Sequence, residues 1–309
     1  MLTTFFGLGL TAFIYSTVIV KLKKTFRISK EESSEFKYLG VHLRQTNNGI
    51  YGHLNNYSQS LVEIEIQSDR LKEKDSPLSR EESDLLRSVI GKLNWLATQT
   101  RPDLSFDVCE LSTNLKCGTV RLLEKANDVI KKAKYNTIFL HFPVMNLNDI
   151  AVRCYADASF ANLPDGGSQG GLYVELVSGD KSAPLFWQSK RLSRTPRSTL
   201  SAETISMVDG METALLAGKL TSEILHNSKI QIPVEGVTDN YSLFEAAHTT
   251  TAATEKRMRI ELTILRETIT QQEFSLKWID SPNQLADSLT KKGSDPRKLL
   301  RRITGKNVI

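Results

Sequence analysis

Past Ile150 the apolar pattern changes period, and this change constrains the fold more than any other feature of the 309 residues. Three strand-like runs come first, at 151–157, 170–177 and 183–188. The last two are joined by Ser178-Gly179-Asp180-Lys181, whose composition predicts a hairpin turn. Helical and extended periods then alternate: a long helix from Ser198 to about Leu225, a strand over 230–239, a short helix over 240–248, a helix over 255–270, a strand over 274–279 and a last helix over 283–291. The order βββαβααβα is a meander followed by alternating units, which predicts a mixed sheet with helices packed on it.

The first half reads differently. Residues 36–41 predict a strand, and Asn47-Asn48-Gly49 a hairpin turn. Ser79 and Glu82 have capping-box spacing at the head of a helix over 79–98. Along it Leu86, Val89, Ile90, Leu93 and Leu96 recur at helical intervals and predict a core-facing stripe. Pro102 ends that segment, a more basic helix covers 122–135, and Pro143 with Asn146-Leu147-Asn148-Asp149 marks a linker. Residues 1–20 carry no charge, and 5–20 are largely apolar. Gly7, Gly9, Thr11, Ser16 and Thr17 dilute this run below the roughly 20 apolar residues of a membrane span. Its positive charges, Lys21, Lys23 and Lys24, follow the run, whereas a signal peptide carries them in front. A buried remnant of a truncated domain therefore ranks above a membrane anchor. Cys109, Cys117 and Cys154 form no CxxC pair and no cluster with histidine, which argues against structural zinc and for a reducing intracellular setting, cytoplasmic or nuclear, without secretion. A net charge of +5 and a pI near 9.0 suit a polyanionic partner.

Four acids fall at element ends: Asp157 at the end of the first strand of the meander, Glu203 near the start of the long helix, Asp239 at the end of the fourth strand and Asp287 in the last helix. Sites in open sheets form beyond the carboxyl ends of parallel strands, so Asp157 and Asp239 meet there if their strands are parallel neighbours. Gathered carboxylates repel one another and need cations between them. An all-oxygen ligand set selects hard ions such as Mg²⁺ or Mn²⁺. Taken singly, each acid reads as a helix cap or a solvated charge, as do Asp165, Asp180 and Asp209, which receive no role.

The segments around these four acids resemble, in order, the RNase H domain of Ty1/copia-type retrotransposon polyproteins. The matching blocks are Tyr155-Ala156-Asp157-Ala158-Ser159-Phe160-Ala161-Asn162, the stretch 165–171, residues 198–203, 238–243 and 285–292, and the basic segment Lys256-Arg257-Met258-Arg259-Ile260. Upstream, Gly91-Lys92-Leu93-Asn94-Trp95-Leu96-Ala97 and Thr100-Arg101-Pro102-Asp103 resemble the stretch that links reverse transcriptase to RNase H, and residues 26–40 resemble the segment after the polymerase palm. The resemblance implies an α/β fold, an RNase H-like mixed five-stranded sheet with flanking helices over 150–309. A mostly helical thumb and connection remnant of reverse transcriptase would precede it over 1–145. It further implies a nuclease cutting the RNA strand of RNA–DNA hybrids with two Mg²⁺ ions. Asp157 would bridge both metals, Glu203 and Asp239 would hold one with it, and Asp287 would complete the other. The partners implied are the hybrid and the remainder of a reverse transcriptase. The competing expectation is a catalytically inactive remnant that only binds nucleic acid. Two departures stand out. The chain contains no Asp-Asp pair, so no DNA synthesis is expected of it, and no histidine follows His248, so the histidine that precedes the last aspartate of cellular RNases H has no counterpart.

Basic residues cluster beside the proposed site at Lys190, Arg191, Arg194 and Arg197, and again between Lys291 and Arg302. The first cluster is expected to contact phosphates, with a salt-dependent contribution to binding; for the second, phosphate contact and a solvated face weigh equally. Trp187 reads as core, and Gly210, Ala214 and Ala217 form a small-residue stripe that would let the long helix lie close to the sheet.

Overall fold

The computed structural model describes Lys24 and residues 34–226, 230–249 and 256–305. The apolar segment 1–20 and most of the palm-like stretch lie outside the described residues.

The first half opens with a sheet. Strand β1 (Glu35–Tyr38) turns at Leu39-Gly40 into β2 (Val41–Thr46), and Asn47-Asn48 turns β2 into β3 (Gly49–His53). The single strand expected over 36–41 is thus two, because Leu39 and Gly40 both adopt positive φ, 47° and 83°, and reverse the chain. Helices α1 (Asn55–Ser60), α2 (Ser68–Lys72), α3 (Arg80–Gln99), α4 (Ser105–Asn114) and α5 (Val120–Tyr135) follow. The capping box is realised: Ser79 Oγ accepts from the Glu82 N–H at 3.1 Å, and the Glu82 carboxylate accepts from the Ser79 N–H at 2.7 Å. All five stripe residues of α3 are buried, Leu86 and Leu93 completely, each such leucine contributing about 1.5–3 kcal/mol by leaving water. Strand β4 (Leu140–Pro143) then pairs with β3 and completes a four-stranded antiparallel sheet in the order β1-β2-β3-β4. Pro143, expected to open a linker, instead ends this strand opposite Gly49.

The second half carries the meander β5 (Ala151–Ser159), β6 (Gln169–Ser178) and β7 (Lys181–Arg191), then α6 (Thr199–His226), β8 (Val234–Thr238), α7 (Tyr241–His248), α8 (Lys256–Thr270), β9 (Ser275–Trp278) and α9 (Arg297–Thr304). The sheet order is β7-β6-β5-β8-β9. The meander is antiparallel, while β8 runs parallel to both β5 and β9. The expected mixed five-stranded sheet with flanking helices is present. Helix α6 lies close against it: a Cβ on Gly210 would stand 2.7 Å from Cys154 Sγ, and Ala214 is fully buried.

One expected element is absent. Residues 283–291 form no α-helix; two short 3-10 turns, Ser281–Asn283 and Asp287–Leu289, stand there, and the last helix is α9. Tertiary partners explain the difference. The Leu289 carbonyl accepts from Ser189 Oγ at 2.6 Å and the Thr290 carbonyl from Ser159 Oγ at 2.8 Å, so side chains of the sheet anchor the segment from positions remote in sequence. The segment is a strap tied to the sheet.

The halves share a core. Ile138 and Leu140 of the first pack with Tyr155, Tyr173, Trp187, Leu299, Leu300 and Ile303 of the second. Trp187 is core, as expected, and its Nε1–H donates to the Ala97 carbonyl of α3 at 2.7 Å.

Candidate active site

The strand register brings the acids together. Tyr155 of β5 pairs with Val237 of the parallel strand β8, so two residues further on Asp157 and Asp239 stand side by side at the carboxyl ends of their strands. Strand β5 runs to Ser159, two residues past its expected end, so Asp157 belongs to the pleated strand. The Ser206 hydroxyl of α6 donates to the Asp157 carbonyl at 2.9 Å, which seats the first turns of α6 against this strand end. The head of α6, where the Ser201 N–H donates to Ser198 Oγ, carries Glu203 into the same place. One oxygen from each of Asp157, Glu203 and Asp239 lies within 4.8 Å of the others.

The electrostatics of this trio are those of a site that favours a cation. Asp157 is 2% exposed and Glu203 5%. Burial raises the Glu203 carboxyl well above the ordinary carboxylate range, and Asp157 and Asp239 raise it further against one hydrogen bond from the Ala158 backbone. Burial also raises the Asp157 carboxyl. A hydrogen bond from Thr290 and the Lys291 charge pull it back, while Asp239 and Asp287 push it up again. Glu203 Oε2 is buried and has no hydrogen-bond partner among the described residues. A buried carboxylate oxygen without a donor costs about 1–3 kcal/mol or more, and an oxygen-binding ion supplies what is missing. The residues present therefore fit a hard divalent cation.

Asp287 stands beside the trio but in a different state. Both its oxygens are engaged: Oδ1 by the Lys291 ammonium and Oδ2 by the Ser294 hydroxyl. Burial pushes its carboxyl up, yet the bonds from Lys291 and Ser294 outweigh that and hold it below the usual range. The strap that carries Asp287 reaches the sheet because of Gly171, the β6 residue opposite Asp157. A Cβ there would meet Thr290 Cγ2 at 2.7 Å and Leu289 Cβ at 2.8 Å. Thr290 and Lys291 lie in the matched block 285–292 but, like Ser294, received no role at the acids; the i,i+4 spacing of Asp287 and Lys291 is a sequence signal for their pairing.

The basic cluster is more internally committed than its composition suggests. Lys190 pairs with Asp209 at 2.8 Å, Arg191 with Asp165, and Arg194 with Glu261. Arg197 is exposed and has no ion pair among the described residues. Asp165 and Asp209, given no role from sequence, serve as these partners. In the later run, Lys291 faces Asp287, Arg297 pairs with Asp295 at 2.7 Å, and Arg302 forms a two-pronged pair with the buried Glu175 at 2.7 and 2.8 Å. Much of that run serves the fold.

The five-stranded half with its flanking helices has the mixed-sheet architecture expected over 150–309. Over 191 residues, 58% of its length, the chain is 30% identical to a transposon Ty5-1 protein of Saccharomyces cerevisiae, and it spans about 60% of the length of that relative. Among solved structures, the RNase H1 of the halophilic archaeon Halobacterium salinarum overlays 45% of the chain and 94% of its own length, at a TM-score of 0.35 and 19% identity. LC11-RNase H1 in complex with an RNA/DNA hybrid overlays 45% of the chain and 93% of its own, at 0.36 and 14%, and the PFV RNase H domain 46% and 93%, at 0.33 and 16%. No protein-family model matches the chain. The resemblance to a retrotransposon polyprotein, read from the motif blocks, agrees with the likeness to the transposon Ty5-1 protein. Among the described residues no helix is long and apolar enough to cross a membrane.

Proposed function

We propose that this chain is a metal-dependent endoribonuclease of the RNase H type, which cuts the RNA strand of RNA–DNA hybrids as part of a Ty1/copia-type polyprotein fragment. In this reading residues 1–145 correspond to the C-terminal and connection region of a reverse transcriptase, and 150–309 to the nuclease domain. The observation that carries this reading is the buried trio Asp157, Glu203 and Asp239, with one Glu203 oxygen left without a donor. Buried polar groups with a purely structural role are normally satisfied, and strongly perturbed carboxylates in a cluster point to a functional site.

In this reading Asp157, Glu203 and Asp239 would hold one ion, and Asp157 with Asp287 would hold a second. Bound Mg²⁺, with Mn²⁺ as the alternative, lowers the pKa of water and neutralises charge at the leaving oxygen of a phosphodiester. Asp157 is the shared ligand, and Thr290 fixes its orientation by donating to Oδ2. Arg197, free of ion pairing among the described residues, is the best placed of the basic cluster to meet a phosphate, ahead of Lys190, Arg191 and Arg194. The 2′-OH is the chemical difference by which such a site tells RNA from DNA. Three free cysteines suit an intracellular, cytoplasmic or nuclear, setting. The inactive-remnant reading is disfavoured by the presence of all four carboxylates around one strand end.

The test is incubation of the full chain with Mg²⁺ and a labelled hybrid. The RNA strand is cut, the DNA strand stays intact, and a primer on a template is not extended. Asp157→Asn lowers the cutting rate by at least about 100-fold and leaves hybrid binding in place. Cleavage by the variant within about tenfold of the parent overturns the assignment.

A further inference from the structure

We infer that Lys291 is a tethered cation holding the place of the second metal ion. The chain takes up one divalent ion readily at Asp157, Glu203 and Asp239, and a second only by displacing the Lys291 ammonium from between Asp157 and Asp287. The inference depends on the metal-dependent reading above and deepens it.

The four carboxylates are not equivalent. Glu203 Oε2 has no donor among the described residues, and the three acids of the trio present oxygens to one another within 4.8 Å. Asp287, by contrast, already has its negative charge matched. Lys291 Nζ is paired with its Oδ1 and stands 3.9 Å from Asp157 Oδ2, so a full positive charge lies between the two residues expected to share the second ion. Ser294 occupies the other Asp287 oxygen. A divalent ion approaching this pair meets an ammonium a few ångströms away and must expel it. At the trio, Lys291 reaches only Asp157 Oδ2, at 3.9 Å, and Glu203 Oε2 has no donor among the described residues, so the ion meets less opposing charge there.

Backbone geometry favours the arrangement. Lys291 follows Thr290, whose hydroxyl donates to Asp157 and whose carbonyl accepts from Ser159, so the strap fixes the root of the lysine beside the trio. The side chain itself is about half exposed, at 49%, and its flexible stem can swing the ammonium into solvent when an ion or a phosphate takes over. Lys291 is a positioning residue in this scheme, setting the order and strength of metal uptake.

The experiment counts bound Mn²⁺ on the full chain by electron paramagnetic resonance of the free ion, with calorimetry for the affinities, comparing the parent with Lys291→Met, Lys291→Gln and Lys291→Arg. The parent should bind one ion at least about tenfold more tightly than a second, because a unit charge within roughly 4 Å opposes the second site. In the Met and Gln variants the second ion should tighten by about tenfold or more, with a smaller effect on the first, and the Arg variant, which keeps the charge, should follow the parent. Thermal melts establish that each variant is folded. Two ions of equal affinity in the parent, or an unchanged second affinity in both neutral variants, overturns the role of Lys291 alone. Absence of any bound ion in the parent overturns the metal-dependent reading and this inference with it.

Discussion

Just after α3, Arg101 and Asp103 are buried to 2% and 6% exposure; at the carboxyl ends of β5 and β8, Asp157 and Glu203 are buried to 2% and 5%. The two places treat charge in opposite ways. Arg101 donates to both Asp103 oxygens at 2.8 and 2.9 Å and to the Lys132, Ala133 and Asn136 carbonyls at the end of α5, so the pair is satisfied and the helix end is capped by a cation. At the strand ends, carboxylates face carboxylates, with an orphaned oxygen among them. Equal burial thus accompanies a closed structural joint in one case and stored repulsion in the other. What separates architecture from chemistry here is whether the charge is matched within the chain.

The most drastic way to break the comparison is to unmatch the joint. Arg101→Met strands Asp103 in the interior and frees three carbonyls; a loss of about 3–5 kcal/mol is expected in urea denaturation. A loss under about 1 kcal/mol means that Asp103 finds water or another partner, and the contrast dissolves.

The second test relieves the repulsion. Without metal, the folded state holds a proton on Glu203 more readily than the unfolded state, because its folded pKa lies well above the 4.5 of a free glutamate. The folded protein is therefore favoured at low pH and loses stability as pH rises from about 4.5 through the raised folded value. Asp157 acts in the same direction from its own 3.8. Glu203→Gln removes most of this slope and raises the melting temperature of the metal-free chain at neutral pH by about 2–4 °C, equivalent to roughly 1 kcal/mol. Saturating Mg²⁺ reverses the ranking, since only the parent keeps the full ligand set. A variant less stable than the parent in chelator at neutral pH contradicts the picture of stored repulsion.

The smallest effect concerns the basic cluster. Arg197→Ala should reduce the slope of log affinity for hybrid against log salt by about 0.9. Arg191→Ala and Arg194→Ala should each change it by less, because Asp165 and Glu261 already compete for those guanidinium groups. Equal changes for all three show that the internal pairs open on binding and that matched surface charge is no bar to phosphate contact.

Much of this site was legible beforehand. Asp157, Glu203 and Asp239 stand out because strand and helix periods place them at element ends, and Asp157 and Asp239 do meet through the parallel pairing of β5 with β8, whereas Asp287 was read in a helix that is absent. The Ser79–Glu82 capping box, the buried stripe of α3 and the small-residue face of α6 are local patterns, decided by residues three or four apart, and local patterns survive folding. The strap was misread as a helix because the bonds that anchor it come from Ser159 and Ser189, 131 residues away in one case and 100 in the other. No local propensity reports such partners. For the same reason β4 was missed: a four-residue strand gains its ladder only from β3, far upstream.

By itself, then, the sequence determined the meander with its alternating units, the mixed sheet and the residue types that a hard cation would meet, since periodicity and side-chain chemistry are properties of the chain. Tertiary structure alone decided which of the four acids are alike. Gly171 admits the strap, and the strap delivers Thr290 to Asp157 and Lys291 and Ser294 to Asp287, while Glu203 Oε2 has no donor among the described residues. Charge compensation depends on distances of a few ångströms between residues remote in sequence, and only the folded chain sets those distances.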